Sequence, residues 1–363
     1  MYIFTRGLKI AVSVGLLMLT ISYRAEAEQA KYFDRYEIDV APNRVDFGVQ
    51  PMAYPLAFTS SVMQRDQILA KALADAKITQ RSHPFRKGND MVTLVGEGKL
   101  EVAFLGDMPT INSAARTPIY IAALGKRNFS SIVSREYGNM LELKGKRVGY
   151  SAGSSSHYVL LQSLKASNMT EKDIQLVSLE PVDMPDALAS GKVDAFSAWE
   201  PVPSVSLSKN SKNRAIYRGM STDWLVFSRD FVEKEPEVAK LILASYVRAI
   251  NWMRIGKGNL KQAAEWVRAD GEAFLGKPTG VSIDQAVSIA RKDLLDVASA
   301  PAFPAMVEGH PMLSREFDFL KALGKIPADI SEDRIRTSFA YDGLKVIQAA
   351  PQRYRLFEYD YKQ

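Results

Sequence analysis

Between residues 143 and 201 the chain reads LKGKRVGYSAGSSSHYVLLQSLKASNMTEKDIQLVSLEPVDMPDALASGKVDAFSAWEP. The segment orders a strand, a Gly/Ser turn opening a helix, a second strand, a short helix and a third strand ending in Trp199-Glu200. No other stretch constrains the fold as strongly, because alternating strands and helices demand a mainly parallel sheet with crossover helices. Open sheets of this kind bind small ligands just beyond the carboxyl ends of their strands. Small polar donors and one aromatic–acid pair stand at those ends here, so the segment points to the holding of a small molecule.

The same grammar precedes it. Residues 45–50 read as a strand and 64–76 as a helix, with Ile68, Leu69, Ala72, Leu73 and Ala76 at helical spacing. An extended stretch (78–85), a short helix (89–96) and an apolar strand (100–105) follow. Residues 118–124, 130–134, 215–217 and 224–228 read as separate further strands. The remainder is helical, over 236–255, 259–269, 282–296 and 314–323, and has no sheet of its own to pack on. The expected organisation is a first lobe over 28–132, a second lobe over 133–225 and a return to the first lobe over 226–363. Two chain crossings form the hinge, and the helical C-terminal tail packs on the first lobe.

Residues 1–27 read as a processing signal. Arg6 and Lys9 precede an apolar run over 10–21, and Ala25-Glu26-Ala27 supplies small residues where a signal peptidase reads. The run is shorter than the about 20 residues a spanning helix needs, which favours export with cleavage after Ala27. The formal net charge of +6 would become +4, since three basic and one acidic residue leave with the signal. No block of like charge stands out and basic residues alternate with acidic ones, which argues against a nucleic-acid partner. The absence of cysteine removes disulfides, thiolate metal sites, thiol nucleophiles and the lipid-bearing residue of an exported lipoprotein. A free periplasmic monomer is the expected state.

The residues able to carry chemistry sit at strand ends. Gly153-Ser154-Ser155-Ser156 opens a helix, where hydroxyls, unpaired N–H groups and the helix dipole make a cradle for an anion. A plain serine N-cap explains the same four residues. Asp107 follows Gly106 at the matching place in the first lobe, either capping its helix or facing the cleft. Gln50 closes the first strand with two donors and an acceptor. Trp199, as core or as a wall against an alkyl or aromatic body, precedes Glu200, an acid able to hold an amine. Trp224 and Tyr54 are weaker aromatic candidates. His83, His157 and His310 form no metal-ligand spacing, and no nucleophile elbow, phosphate loop or dinucleotide fingerprint is present. No metal, cofactor or catalytic residue is expected.

Taken in order, Gly48-Val49-Gln50, Leu105-Gly106-Asp107-Met108-Pro109, Leu143 to Gly149, Gly153-Ser154-Ser155-Ser156-His157 and Asp194 to Pro201 resemble the exported solute-binding proteins of the nitrate, sulfonate and taurine ABC-transporter group. The resemblance implies a type II periplasmic-binding-protein fold, two α/β lobes closing like a hinged clamp. It further implies a small anionic organic ligand and an ABC permease in the inner membrane as partner. Carried over by position, Gln50 and Asp107 would face the cleft from the first lobe. Ser154, Ser155 and His157 would hold the anionic head from the second, with Trp199 and Glu200 framing the rest. The chain departs from the group's pattern in a longer tail after Gly280, in Leu105 and in Glu200. Enzymes that resemble these receptors, sulfinate desulfinases and thiamine-pyrimidine synthases, depend on cysteines this chain lacks. A periplasmic sensor module would use the same clamp.

Overall fold

In a computed structural model, residue 36 and residues 38–292, 306–307, 310–311 and 313–362 are described. The expected signal segment and cleavage site lie outside them, as does the end of the helix expected over 282–296. Residues 42–363 form one compact unit. Its centre is an eight-stranded sheet in the order β2-β1-β3-β8-β4-β7-β5-β6. The strands are β1 (Arg44–Val49), β2 (Thr79–Pro84), β3 (Val102–Gly106), β4 (Ile119–Ser134), β5 (Arg147–Tyr150), β6 (Gln175–Ser178), β7 (Ala195–Ala198) and β8 (Arg214–Ser228).

The two long strands decide the architecture. Each had been expected as two short pieces, but β4 and β8 are continuous over 16 and 15 residues and pair antiparallel along their whole length. Register shifts between Ile121 and Ala123, Leu124 and Lys126, and Ile132 and Val133 bend the ribbon while keeping it paired. At one end β8 pairs antiparallel with β3, which continues in parallel to β1 and β2. At the other end β4 pairs antiparallel with β7, which continues in parallel to β5 and β6. The parallel strands of the two halves therefore run head-on, and their carboxyl ends meet over the middle of the β4–β8 ribbon.

Each half has its own core. In the first, Phe47, Phe104, Leu225 and Phe227 of the sheet pack with Leu56 and Phe58 of α1 (Leu56–Met63), Ile242 and Tyr246 of α9 (Pro236–Ile255) and Val267 of α10 (Lys257–Leu275). Every residue of α1 is buried, so it shows no amphipathic stripe, and this is why the sequence reading missed it. The helix expected over 64–76 is α2 (Gln67–Asp75), set back because Asp66 caps it, its carboxylate accepting from the N–H groups of Ile68 and Leu69. Asp66 also forms a buried 2.7 Å ion pair with Arg248 of α9. In the second half the sheet is covered on both faces. One cluster joins Ile132, Val148 and Ala195 to Leu160 and Leu164 of α5 (Ser155–Ala166), and another joins Val133 and Phe196 to Met184 and Leu188 of α6 (Met184–Ala189).

Candidate functional site

The carboxyl ends of the opposed strands flank a crevice lined by Gln50, Ala53, Gly88, Gly106, Pro109, Ser154, Ser155, Trp199 and Asp223. Both halves contribute to it. Contacts between the halves close it further: the Tyr54 N–H donates to the Glu200 carbonyl at 2.9 Å, and Lys87 pairs with Glu180 at 3.2 Å. Gly153, at φ +71°, passes so near Asn89 that a Cβ there would lie 2.7 Å from Oδ1.

Ser154 is the N-cap of α5. Its hydroxyl donates to the Ser151 carbonyl at 2.7 Å and accepts from the His157 N–H at 3.2 Å, while the Tyr158 N–H returns to the Ser154 carbonyl. The plain N-cap account of Ser154 therefore holds for its side chain. The N–H groups of Ser155 and Ser156 remain as first-turn donors with no partner inside the helix. Ser155 lines the crevice, and its hydroxyl hydrogen-bonds the Asp107 carboxylate.

Asp107 lies one layer behind the lining. It opens α4 (Asp107–Arg116), is 1% exposed, and accepts from its neighbour's N–H on Met108 at 2.8 Å and from Thr222 N–H at 3.0 Å. Burial raises its pKa to about 6 against the opposing pull of these hydrogen bonds. Its negative end occupies the α4 dipole, so only the N-terminus of α5 is left to favour an anionic guest.

Gln50, buried just beyond β1, donates from Nε2 to the Phe104 carbonyl at 2.8 Å, which holds its amide against the end of β3. Trp199 is buried and its Nε1 has no hydrogen-bond partner among the described residues. Two expected site residues turn elsewhere. His157 accepts from the Gly153 N–H at Nδ1 and pairs through Nε2 with Glu171 at 3.2 Å. Burial lowers its pKa, consistent with a neutral ring donating from Nε2. Glu200 points along its own chain, where its carboxylate accepts from the Ser204 N–H in the first turn of α7 (Val202–Lys209). A carboxylate two residues before a helix finds that N-terminus before it finds the cleft.

Asp223, which no sequence pattern points to, lines the crevice where Glu200 does not. Register sets Lys126 of β4 opposite Asp223 of β8, and they form a 3.2 Å ion pair with side chains 1% and 7% exposed. Burial raises the Asp223 pKa while Lys126 opposes it. No local signal marks the pair, since Lys126 and Asp223 lie in polar stretches just outside the apolar runs over 118–124 and 224–228. Trp224 and Tyr54 are core: Trp224 Nε1 donates to Thr222 Oγ1 at 3.0 Å, and Tyr54 packs edge-on to Phe58. Among the described residues no group of three His, Asp or Glu side chains could hold a metal, and no helix is long and apolar enough to cross a membrane.

Residues 110–268 match the NMT1-like family. A putative aliphatic sulfonates-binding protein of Escherichia coli is 26% identical over half of this chain and 60% of its own length. The taurine-binding periplasmic protein of the same organism is 25% identical over 56% of this chain and 68% of its own. The chain thus spans less than two thirds of the first of these relatives. Among solved structures, the alkanesulfonate-binding protein of Xanthomonas axonopodis pv. citri bound to MOPS superposes with a TM-score of 0.61 at 17% identity, over 80% of this chain and 96% of its own. The periplasmic nitrate-binding protein of Synechocystis PCC 6803 gives 0.65 at 13%, over 86% and 91%. A desulfurization enzyme shares the fold at a TM-score of 0.54 and 15% identity, over 85% and 99%. The fold is that of the periplasmic binding proteins. It carries both receptors and an enzyme, so the site and not the fold must decide between them.

Proposed function

As a homologue of the periplasmic proteins that bind aliphatic sulfonates and taurine, this chain is, we propose, the solute-binding component of an ABC importer that holds a small zwitterion carrying a sulfonate or similar anionic head. One observation carries the reading. The lining residues include an α5 N-terminus with two uncommitted N–H groups and a single carboxylate, Asp223, but no lysine or arginine. An anionic head fits the first-turn N–H groups of Ser155 and Ser156, the Gln50 amide and the Trp199 indole N–H. Neutral donors of this kind bind such a group without an ion-pair partner. An ammonium group fits beside Asp223, whose charge Lys126 balances only from within the sheet.

In this reading the halves close on the ligand about the bent β4–β8 ribbon, and the closed form delivers it to an inner-membrane permease from the periplasm. The lobes are residues 28–132 with 226–363, and 133–225. The protein acts as a monomer, without turnover.

Isothermal titration calorimetry with taurine, an alkanesulfonate lacking the amine and an alkylamine lacking the sulfonate tests it. Taurine is expected to bind most tightly, the sulfonate more weakly and the amine least. Asp223→Asn should erase the preference for taurine over the plain sulfonate. Absence of heat with all three, or release of sulfite from any of them, defeats the proposal.

A further inference from the structure

Helices α12 (Ser314–Ala322) and α13 (Asp333–Ser338) lie beyond the two α/β halves. The tail had been expected to pack on the first half alone, yet this part of it touches both. On the second half, Phe319 packs edge-on against Tyr158 of α5 with centroids 5.7 Å apart. Lys325 pairs with Glu171 at 2.6 Å, the same carboxylate that receives His157. On the first half, Phe339 packs edge-on against Trp224 at 5.7 Å and Tyr341 stacks on Tyr120 at 5.4 Å. The Thr337 carbonyl accepts from Arg229 at 3.3 Å.

Glu316 lies between these two sets of contacts. It is 7% exposed, its Oε1 has no hydrogen-bond partner among the described residues, and it feels the charge of Asp107 behind the crevice wall. A carboxylate without partners is a costly group to bury.

We infer that residues 313–341 are a strap that ties the two halves of the sheet together and limits their opening, with Glu316 as its buried pin. The inference rests on the clamp reading above, because a strap across both halves matters only if they move. It assigns the segment a mechanical role: opening must break the Phe319–Tyr158 and Lys325–Glu171 contacts or lift Phe339 and Tyr341 from the first half.

The pin is sensitive to protons. Burial and the nearby Asp107 carboxylate push the Glu316 pKa well above the usual range. Among the described residues, Tyr158 from α5 couples to both carboxylates and Asp223 from β8 to Asp107. None of them neutralises a second negative charge, because Lys126 is already held by Asp223. With Glu316 protonated the strap stays seated. As pH rises through its folded pKa, ionisation places two carboxylates in one dry site and favours release.

The chain has no cysteine, so Ala74→Cys and Lys192→Cys, exposed positions on opposite halves, accept spin labels without background. Pulsed EPR then reads their separation in the full chain without ligand. One narrow separation is expected for the labelled parent near pH 5. It should lengthen and broaden in Lys325→Ala and further in Phe319→Ala, and Lys325→Arg should restore it. The parent should broaden as pH is raised through the elevated Glu316 pKa and Glu316→Gln should not. Unchanged separations in Lys325→Ala and Phe319→Ala, with circular dichroism showing intact folding, overturn the strap. So does identical broadening with pH in Glu316→Gln and parent. If no sulfonate or taurine gives heat while the strap variants still open, the ligand reading fails and the strap stands.

Discussion

Gly106 and Ser155 come from opposite halves of the sheet and approach so closely that a Cβ on Gly106 would lie 2.2 Å from Ser155 Oγ. Glycine is required here for contact rather than for its dihedral angles, since its φ of −69° suits any residue. The missing side chain lets the α5 N-terminus seat against the end of β3, and the Ser155 hydroxyl reach Asp107.

Gly106→Ala should therefore push the two halves apart at the crevice. Overpacking of this kind costs about 1–3 kcal/mol, and ligand affinity should fall with it. In Gly106→Ala with Ser155→Ala the clash is gone, leaving Asp223 Oδ1 at 3.4 Å and the Ser155 Cβ at 3.5 Å, both ordinary contacts. Thermal unfolding of the two single variants and the double variant should show stability partly recovered in the double. Strict additivity of the losses would contradict the close approach.

The Lys126–Asp223 pair makes a different demand. Lys126→Met leaves a buried carboxylate unpaired, at a cost of about 3–5 kcal/mol. Lys126→Met with Asp223→Asn should recover much of that stability but none of the preference for an amine-bearing ligand. Chemical denaturation and calorimetry on the same proteins separate the two effects.

Asp107 should tilt stability with pH. Its folded pKa of about 6 lies above the usual carboxylate value of 3.8, so the native state holds the proton more tightly than the unfolded chain. The stabilisation is complete below about pH 4 and is lost as pH rises through about 6, amounting to about 3 kcal/mol for a shift of this size. Asp107→Asn should flatten that part of the profile, whatever it costs at any single pH. Urea unfolding at closely spaced pH values reads the slope, and an equal slope in the variant would remove Asp107 as its source.

His157 should be dispensable for binding. Its ring is spent on Gly153 and Glu171, so His157→Gln should lower the melting temperature and leave the affinity for taurine unchanged. A large loss of affinity in a well-folded variant would return the histidine to the site.

Local chemistry made much of this protein legible in its sequence. The start of helix Ser155–Ala166 and both ends of Pro236–Ile255 are legible in the sequence, because a serine cap, an N-terminal proline and apolar spacing act within a few residues. Gln50, Ser154, Ser155 and Trp199 meet in one crevice because each sits at the carboxyl end of a strand, a position that order alone reveals. Tertiary pairing decided the rest. Fusing four short apolar runs into β4 and β8 depends on partners about 90 residues apart, and only their register sets Lys126 against Asp223. Glu200 and His157 are polar residues at plausible positions, turned away by a nearer helix N-terminus and by Glu171. Whether a side chain faces a cleft or a neighbour is settled by which partner the fold brings within hydrogen-bonding reach, and no local pattern records that.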